Sequence, residues 1–321
     1  MPRYTRNTAI LAKVETTPGT DAVPTGAADA VLVSDMSITP LDANNVNRDL
    51  VRGYFGGSEQ LVATASVKVS FTVELAGSGT AATAPQWGDL LLACAMAESS
   101  LTAPVRVEYN PVSTNLKSLT IYYFDDGVLH KLLYAMGTCK LSAKVGERPT
   151  LQFDFVGLDG GISATTNPAT TLTAWKTPPT MTKANVVDIT LGGTYAAGAI
   201  TGGTVYPSTG LTLDWANAVS YVPLLSSETI DITNREMTGV VELDLTAAQE
   251  VSFMATVKAN TTQSLGLTIG TNAGNKVIIH APAVQLINPS KQEINGRRLI
   301  GYDLRLVPGA SGNDELRIVT Q

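Results

Sequence analysis

The residues able to do chemistry are few and scattered. The two histidines, His130 and His280, lie 150 positions apart (280 − 130), each inside an alternating apolar–polar run. No Cys/His ligand spacing accompanies either, and imidazole catalysis or metal binding needs a second titratable group held close by. They read as packing or sheet-surface residues. Cys94 and Cys139 are the only thiols and form no disulfide framework, so both read as small buried hydrophobes. Asp125 and Asp126 are adjacent carboxylates, but Gly127 follows them, and Asp-Asp-Gly between apolar runs is a hairpin turn. No G-x-S-x-G elbow, P-loop or H-E-x-x-H motif occurs. The stretch "GGTYAAGAITGG", 192–203, is glycine-rich but lacks the dinucleotide fingerprint. The expectation is therefore no catalytic, cofactor-binding or metal-binding residues, and no enzyme.

The composition says what such a chain can be. With 44% hydrophobic residues in 321, it can bury sizeable cores, and its length suggests two domains. Charged residues are 16%, below the usual quarter. Net charge is −6 with no basic run, which argues against tight nucleic-acid binding through phosphate neutralisation. The longest apolar run, Leu90 to Ala97, is far too short to span a bilayer as a helix. The first residues show no secretory signal. No membrane role is expected.

Period-two patterning dominates. In "SVKVSFTVEL", Val67, Val69, Phe71, Val73 and Leu75 form one face and Ser66, Lys68, Ser70, Thr72 and Glu74 the other. This is a strand with one buried and one wet side. "RPTLQFDFVGLDG" (148–160) and "RRLIGYDLRLVPG" (297–309) are alike, with Asp154 and Asp303 in the same slot, 149 positions apart (303 − 154). A helix is predicted in each half, from Thr83 and from Thr246, because a glutamine (Gln86, Gln249) stands three residues after each threonine as in a capping box. Trp87, Leu91 and Cys94 make the apolar face of the first; Ala247, Val251, Met254 and Ala255 make that of the second. The order strand, capped helix, strands, Asp-bearing strand thus occurs twice, and an internal duplication follows. The domains are expected at 1–160 and 206–321, with a Gly/Thr/Pro-rich linker or arm at 161–205 that holds one or two strands toward its end.

Two surfaces stand out. The polar strand faces carry Glu74, Asp154, Glu242, Asp244 and Asp303, a mildly acidic set that would not hold a phosphate backbone. The segment Asn45–Ala65 carries Arg48, Asp49 and Arg52, then Tyr54 and Phe55 among paired glycines. A long loop with aromatics of this kind packs on something, either its own domain or a neighbouring subunit or ring.

The stretches "AILAKVETTPGTDAVPTGAADAVLVSDMSITP" (9–40) and "CKLSAKVGERPTLQFDFVGL" (139–158) resemble major tail proteins, the tail tube proteins of bacteriophages with long non-contractile tails. The likeness covers the first half well and the second through the repeat. It implies a mainly β chain of two tandem tail-tube-type β-sandwich or split-barrel domains, each with one flanking α-helix. It implies a structural virion protein, assembled in host cytoplasm, whose rings stack into a hollow tube through which DNA passes at ejection without tight binding. Two domains per chain make a homotrimer a pseudo-sixfold ring. A tape measure protein, a tail terminator and distal tail or baseplate proteins are the implied partners; no cofactor is. The main rival is a tandem β-sandwich adhesion module on a surface or tail tip, which would stay small in solution. The Asn45–Ala65 loop and an "AGSGTAA" insertion after Leu75 have no visible counterpart in the second half, so the halves are expected to be uneven.

Overall fold

The computed structural model describes residues 2–321. The first half runs through β1 (Thr8–Val14), β2 (Ala30–Val31), β3 (Ser34–Asn47), β4 (Gln60–Glu74), helix α1 (Gly88–Leu92), β5 (Met96–Thr102), β6 (Val105–Pro111), β7 (Leu119–Asp125), β8 (Val128–Lys144) and β9 (Thr150–Ala164). The β7–β8 turn is the expected Asp-Asp-Gly hairpin, with positive φ at Asp126 (41°) and Gly127 (88°). β8 is one strand of 17 residues. A register shift between Leu133 and Met136, with Tyr134 at φ 53°, bends it. β8 and β9 thereby serve two sheets, β2–β1–β7–β8 and β3–β4–β9–β8. Between them Phe71, Phe153 and Phe155 interlock with ring centroids 5.7 to 6.1 Å apart.

The second half comprises β10 (Val186–Leu191), β11 (Thr194–Ala196), β12 (Ala199–Thr201), β13 (Thr204–Val205), β14 (Ser208–Asp214), β15 (Asn217–Leu224), β16 (Ser227–Arg235), β17 (Thr238–Leu243), α2 (Ala247–Lys258), β18 (Thr262–Ile269), β19 (Val277–Ile294), β20 (Arg297–Leu306) and β21 (Arg317–Thr320). Its ladders are β13–β10–β18–β19 and β14–β17–β20–β19. Strand for strand, this is the pairing order of the first half. The irregularities recur too. β3 and β14 both begin with a bulge, with Asp35 at φ 50° and Gly210 at φ 123°. The counterpart of β9 is split into β20 and β21, which pair with successive parts of β19. β10 and β13, within the stretch expected as linker, pair into the second half.

The halves are less uneven than the sequence suggests. The counterpart of the β3–β4 connection is the β15–β16 hairpin, which folds back over β8 and β9. The hairpin hides in the sequence because it follows β14 without a turn signal: Ala216, at φ 47°, makes the corner.

Two ladders join the halves. β14 adds to β8, from Gly210 opposite Lys144 to Asp214 opposite Lys140. β21 adds to β6. Buried side chains of both halves form one continuous cluster, with Leu141 and Ala143 meeting Leu211 and Leu213 across the β8–β14 seam. The result is an antiparallel run β3–β4–β9–β8–β14–β17–β20–β19. Among the described residues, β3 pairs with β4 alone, and β19 beyond Gln285 pairs with β20 alone.

The helices depart from expectation. α2 has its capping box, Thr246 with Gln249. Its buried side chain, however, is Phe253, whose ring meets Tyr206 (5.2 Å) and Tyr302 (6.0 Å). Ala247, Val251 and Ala255 face solvent, with Val251 72% exposed. One large aromatic filling a pocket outweighs a stripe of small residues. α1 is a five-residue helix beginning after Trp87, with no side-chain cap, so Thr83 and Gln86 lie outside it. The Trp87 indole donates to the Ala76 carbonyl (2.8 Å) and packs on Tyr109 (5.3 Å). That anchor, with Pro85 before it, keeps residues 83–87 out of the helix and leaves room for one buried helical turn or so.

Candidate functional site

The titratable residues singled out in the sequence are absorbed by structure. Cys94 and Cys139 are fully buried, and burial pushes both thiols up, away from the reactive thiolate. His130 and His280 are held below the ordinary imidazole value, chiefly by burial, with Arg317 adding to the effect at His280. Asp125 and Asp126 hold the N-terminal segment: Asp126 accepts from the Tyr4 backbone N–H (2.6 Å) and Asn7, and Asp125 pairs with Arg3. Among the described residues no three His, Cys, Asp or Glu side chains are grouped to hold a metal.

A buried ionic cluster escapes sequence reasoning. Glu108 on β6 accepts from Arg106 (2.6 Å) and from the Tyr195 hydroxyl (2.6 Å), with the Arg317 guanidinium 3.5 Å away. Burial alone would raise the Glu108 carboxyl, but the two hydrogen bonds and the charge of Arg317 outweigh it and hold it low. Tyr195 is pushed up to about 12 by burial and by Glu108. Arg317 stacks on the Tyr195 ring (4.7 Å), and the His280 ring lies tilted against the Tyr195 ring at 5.7 Å between centroids. These groups come from β6, β11, β19 and β21. The cluster is thus the polar bolt of the β6–β21 junction. Alternation in "VRVEY" places Arg106 and Glu108 on one strand face, but nothing local announces partners some 90 and 210 positions away (195 − 108 = 87; 317 − 108 = 209).

The wet face of the long sheet is the larger feature. Successive cross-strand neighbours Ser34, Thr72, Gln152, Lys140, Asp214, Thr238, Arg305 and Gln285 form one row across all eight strands, from β3 to β19. Every member is polar. The alternation puts Glu74, Asp154, Glu242, Asp244 and Asp303 on this same face. Glu74 pairs with Arg148 (2.7 Å), and Asp244 pairs with Arg297. Glu242 accepts from Thr209 (2.8 Å) and Asp303 from Asn288 (2.9 Å). Asp154 shares a small cavity with Asn217 and Val219, where the β15–β16 hairpin crosses the sheet. Cations on the face are matched in turn: Lys68 with Asp42 (2.5 Å), Lys140 with Asp214 (3.6 Å), Arg305 with Glu236 (3.3 Å). The face is therefore polar and charge-compensated, where composition alone suggests an acidic one. At the β8–β14 seam it holds a concavity of about 750 Å³, lined by Lys140, Arg148 and Asp214 among others.

β3 and β4 extend into both ends of the segment Asn45–Ala65, leaving 48–59 as the loop. Arg48 and Arg52 both pair with Glu59 and close the loop base. Asp49 is exposed. Val51, Tyr54 and Phe55 are 103%, 71% and 107% exposed, touching little of their own chain. At the far hairpin, Leu224 and Leu225 are similarly bare, at 62% and 112%. Apolar tips of this kind mark contact sites.

A search of curated proteins finds no match to this chain. A family model described as phage tail tube protein matches residues 5–306, nearly the whole length. The mainly β architecture with two helices agrees with it. The chain belongs to the phage tail tube protein family, and its place is the virion tail.

Proposed function

We propose that three copies join head to tail into a ring of six like modules, and that rings stack into a hollow tube through which viral DNA leaves. The observation that carries this reading is the polar row unbroken across eight strands, built from two four-strand units lying side by side in one sheet. A channel wall must be wet on one side, and the row from Thr72 to Thr238 lines an open concavity, while the β15–β16 hairpin crosses the same face beside it, at Asp154. The wall must also not grip what passes. Binding to DNA draws on release of counterions by unpaired cations, and Lys68, Lys140, Arg148, Arg297 and Arg305 are already paired with carboxylates. A heterologous contact that closes generates a ring, and closure removes strand edges. The loop 48–59, with Arg48, Asp49, Arg52, Tyr54 and Phe55, reaches to the neighbouring subunit or ring. A tape measure protein inside the tube, and terminator and distal tail or baseplate proteins at its ends, complete the assembly.

Electron microscopy of concentrated protein should show striated hollow rods. Replacing Glu74, Asp154, Glu242 and Asp244 by lysine frees Arg148 and Arg297 and adds new cations, so ejection should slow while tubes stay intact. Normal ejection from such particles rejects the channel assignment. A chain that stays monomeric at every concentration favours an adhesion module instead.

A further inference from the structure

The contact between the halves is a template for a contact between copies. β14 adds to β8 with Leu213 opposite Leu141 and Leu211 opposite Ala143, all four buried. In the repeat, β3 stands where β14 stands, and β19 where β8 stands. The correspondence holds to the residue. Thr212 opposes Val240, which opposes Asp303; Ser37 opposes Ser70, which opposes Asp154. The positive-φ residues Gly210 and Asp35 both lie two positions earlier. On the other strand, Leu141 opposes Leu151 and Lys291 opposes Ile300, each three positions before its aspartate. The edges of β3 and of β19 beyond Gln285 are both unpaired and exposed from Asn288 to Ile294 on the latter.

We propose that β3 of one copy adds to β19 of the next in the register of the internal seam, Ser37 opposite Gln292, and that Lys291 and Glu293 guard this edge. The inward positions filled by Leu141 and Ala143 inside the chain are taken on the free edge by Lys291 and Glu293. Inward-pointing charges blunt a sheet edge against indiscriminate pairing. Lys291 is occupied meanwhile by Glu250 of α2. Across the outer seam, Ile38 meets Lys291 and Met36 meets Glu293, a less apolar match than leucine on leucine. The outer seam also lacks the second ladder: β5–β6 has no counterpart between α2 and β18, so nothing repeats the β6–β21 pairing. The inner seam therefore closes in every folded chain, while the outer one forms only above a threshold concentration or on an existing end. The identity of the next copy as partner rests on the ring reading; the register comes from the internal seam.

Ser37→Cys with Gln292→Cys, mildly oxidised in assembled material, should give interchain disulfides on non-reducing gels. Ser37→Cys with Glu293→Cys should not, since those side chains lie on opposite faces. The native thiols are buried and silent. Lys291→Leu with Glu293→Ala rebuilds the inner seam on the outer edge and should lower the threshold for assembly by tenfold or more. Rods lacking the 37–292 cross-link overturn the seam and leave the tube reading intact. A cross-link with an unchanged threshold in the Leu/Ala variant overturns the guarding role. Absence of assembly in all variants overturns both seam and tube.

Discussion

Glu108→Gln tests whether the β6–β21 junction is held by its charges. The amide keeps the shape, removes the charge and turns one acceptor into a donor facing other donors. In the native protein Glu108 and Arg106 side chains are 8% and 11% exposed, and the Arg106 and Tyr195 bonds are both 2.6 Å. Bonds to a charged group contribute about 1.5–3 kcal/mol each. Breaking a buried ion pair from one side costs about 3–5 kcal/mol. Arg317 is one-third exposed, so water recovers most of its share. A loss of about 3 kcal/mol is expected, or a melting point lower by about 4–5 °C in a chain of 321 residues. The assay is urea unfolding followed by tryptophan fluorescence. Of the three tryptophans, Trp87 and Trp175, whose indole donates to the Ala30 carbonyl, report on the first half and Trp215, just past the β8–β14 seam, on the second; single-tryptophan variants separate them. With the junction weakened, the two signals should separate. A loss below about 1 kcal/mol, with a single coincident transition, would refute the reasoning. Arg106→Leu with Glu108→Leu should recover much of the stability, because a well-packed apolar pair avoids the desolvation cost.

Two further outcomes follow from the same structure. Thr246→Ala should cost about 1 kcal/mol of stability through loss of the α2 cap, while Thr83→Ala should stay within about 0.5 kcal/mol, being outside any helix; equal effects in denaturant titrations would contradict the helix boundaries. Acid should destabilise the fold in two stages. His280 and His130 titrate below their ordinary 6.5 when folded, so the unfolded chain takes up protons first and stability falls as pH drops below about 6.5. Glu108, also depressed, adds a second loss as pH falls below its ordinary 4.5 toward its folded value. Calorimetry between pH 7 and pH 3 reads both, and a flat profile from pH 7 to 5 would contradict the burial of His280.

Much of the fold is legible in the sequence because period-two alternation is a direct imprint of a half-wet sheet. Val67 to Leu75 and Leu151 to Phe155 point inward as their spacing dictates, and Asp-Asp-Gly makes its turn. The repeat is legible through Asp154 and Asp303, whose strands do occupy equal places in the two ladders. What escapes is decided by distant neighbours. The face that α2 buries is set by a pocket between Tyr206 and Tyr302, which no local pattern encodes. The length of α1 is set by where the Trp87 indole finds a carbonyl. The bend in β8 rests on Tyr134, a residue with no intrinsic preference for positive φ, held there by the Glu15 carboxylate accepting its backbone N–H (2.9 Å). The Glu108 cluster needs four strands before it exists. The polar wall was visible one strand at a time; its continuity across the seam was not, because only pairing joins Lys140 to Asp214.

β21 carries a consequence for biosynthesis. It lies between β19 and β6, and the ribosome makes it after both. Until it emerges, the earlier β5–β6 hairpin has a vacant flank, and the carboxylate of Glu108 waits without its second arginine. The second half is therefore joined to the first by a stitch drawn back to β6, and not only by the addition of β14 to β8. A stalled ribosome would display that open flank to every other nascent copy on the same message.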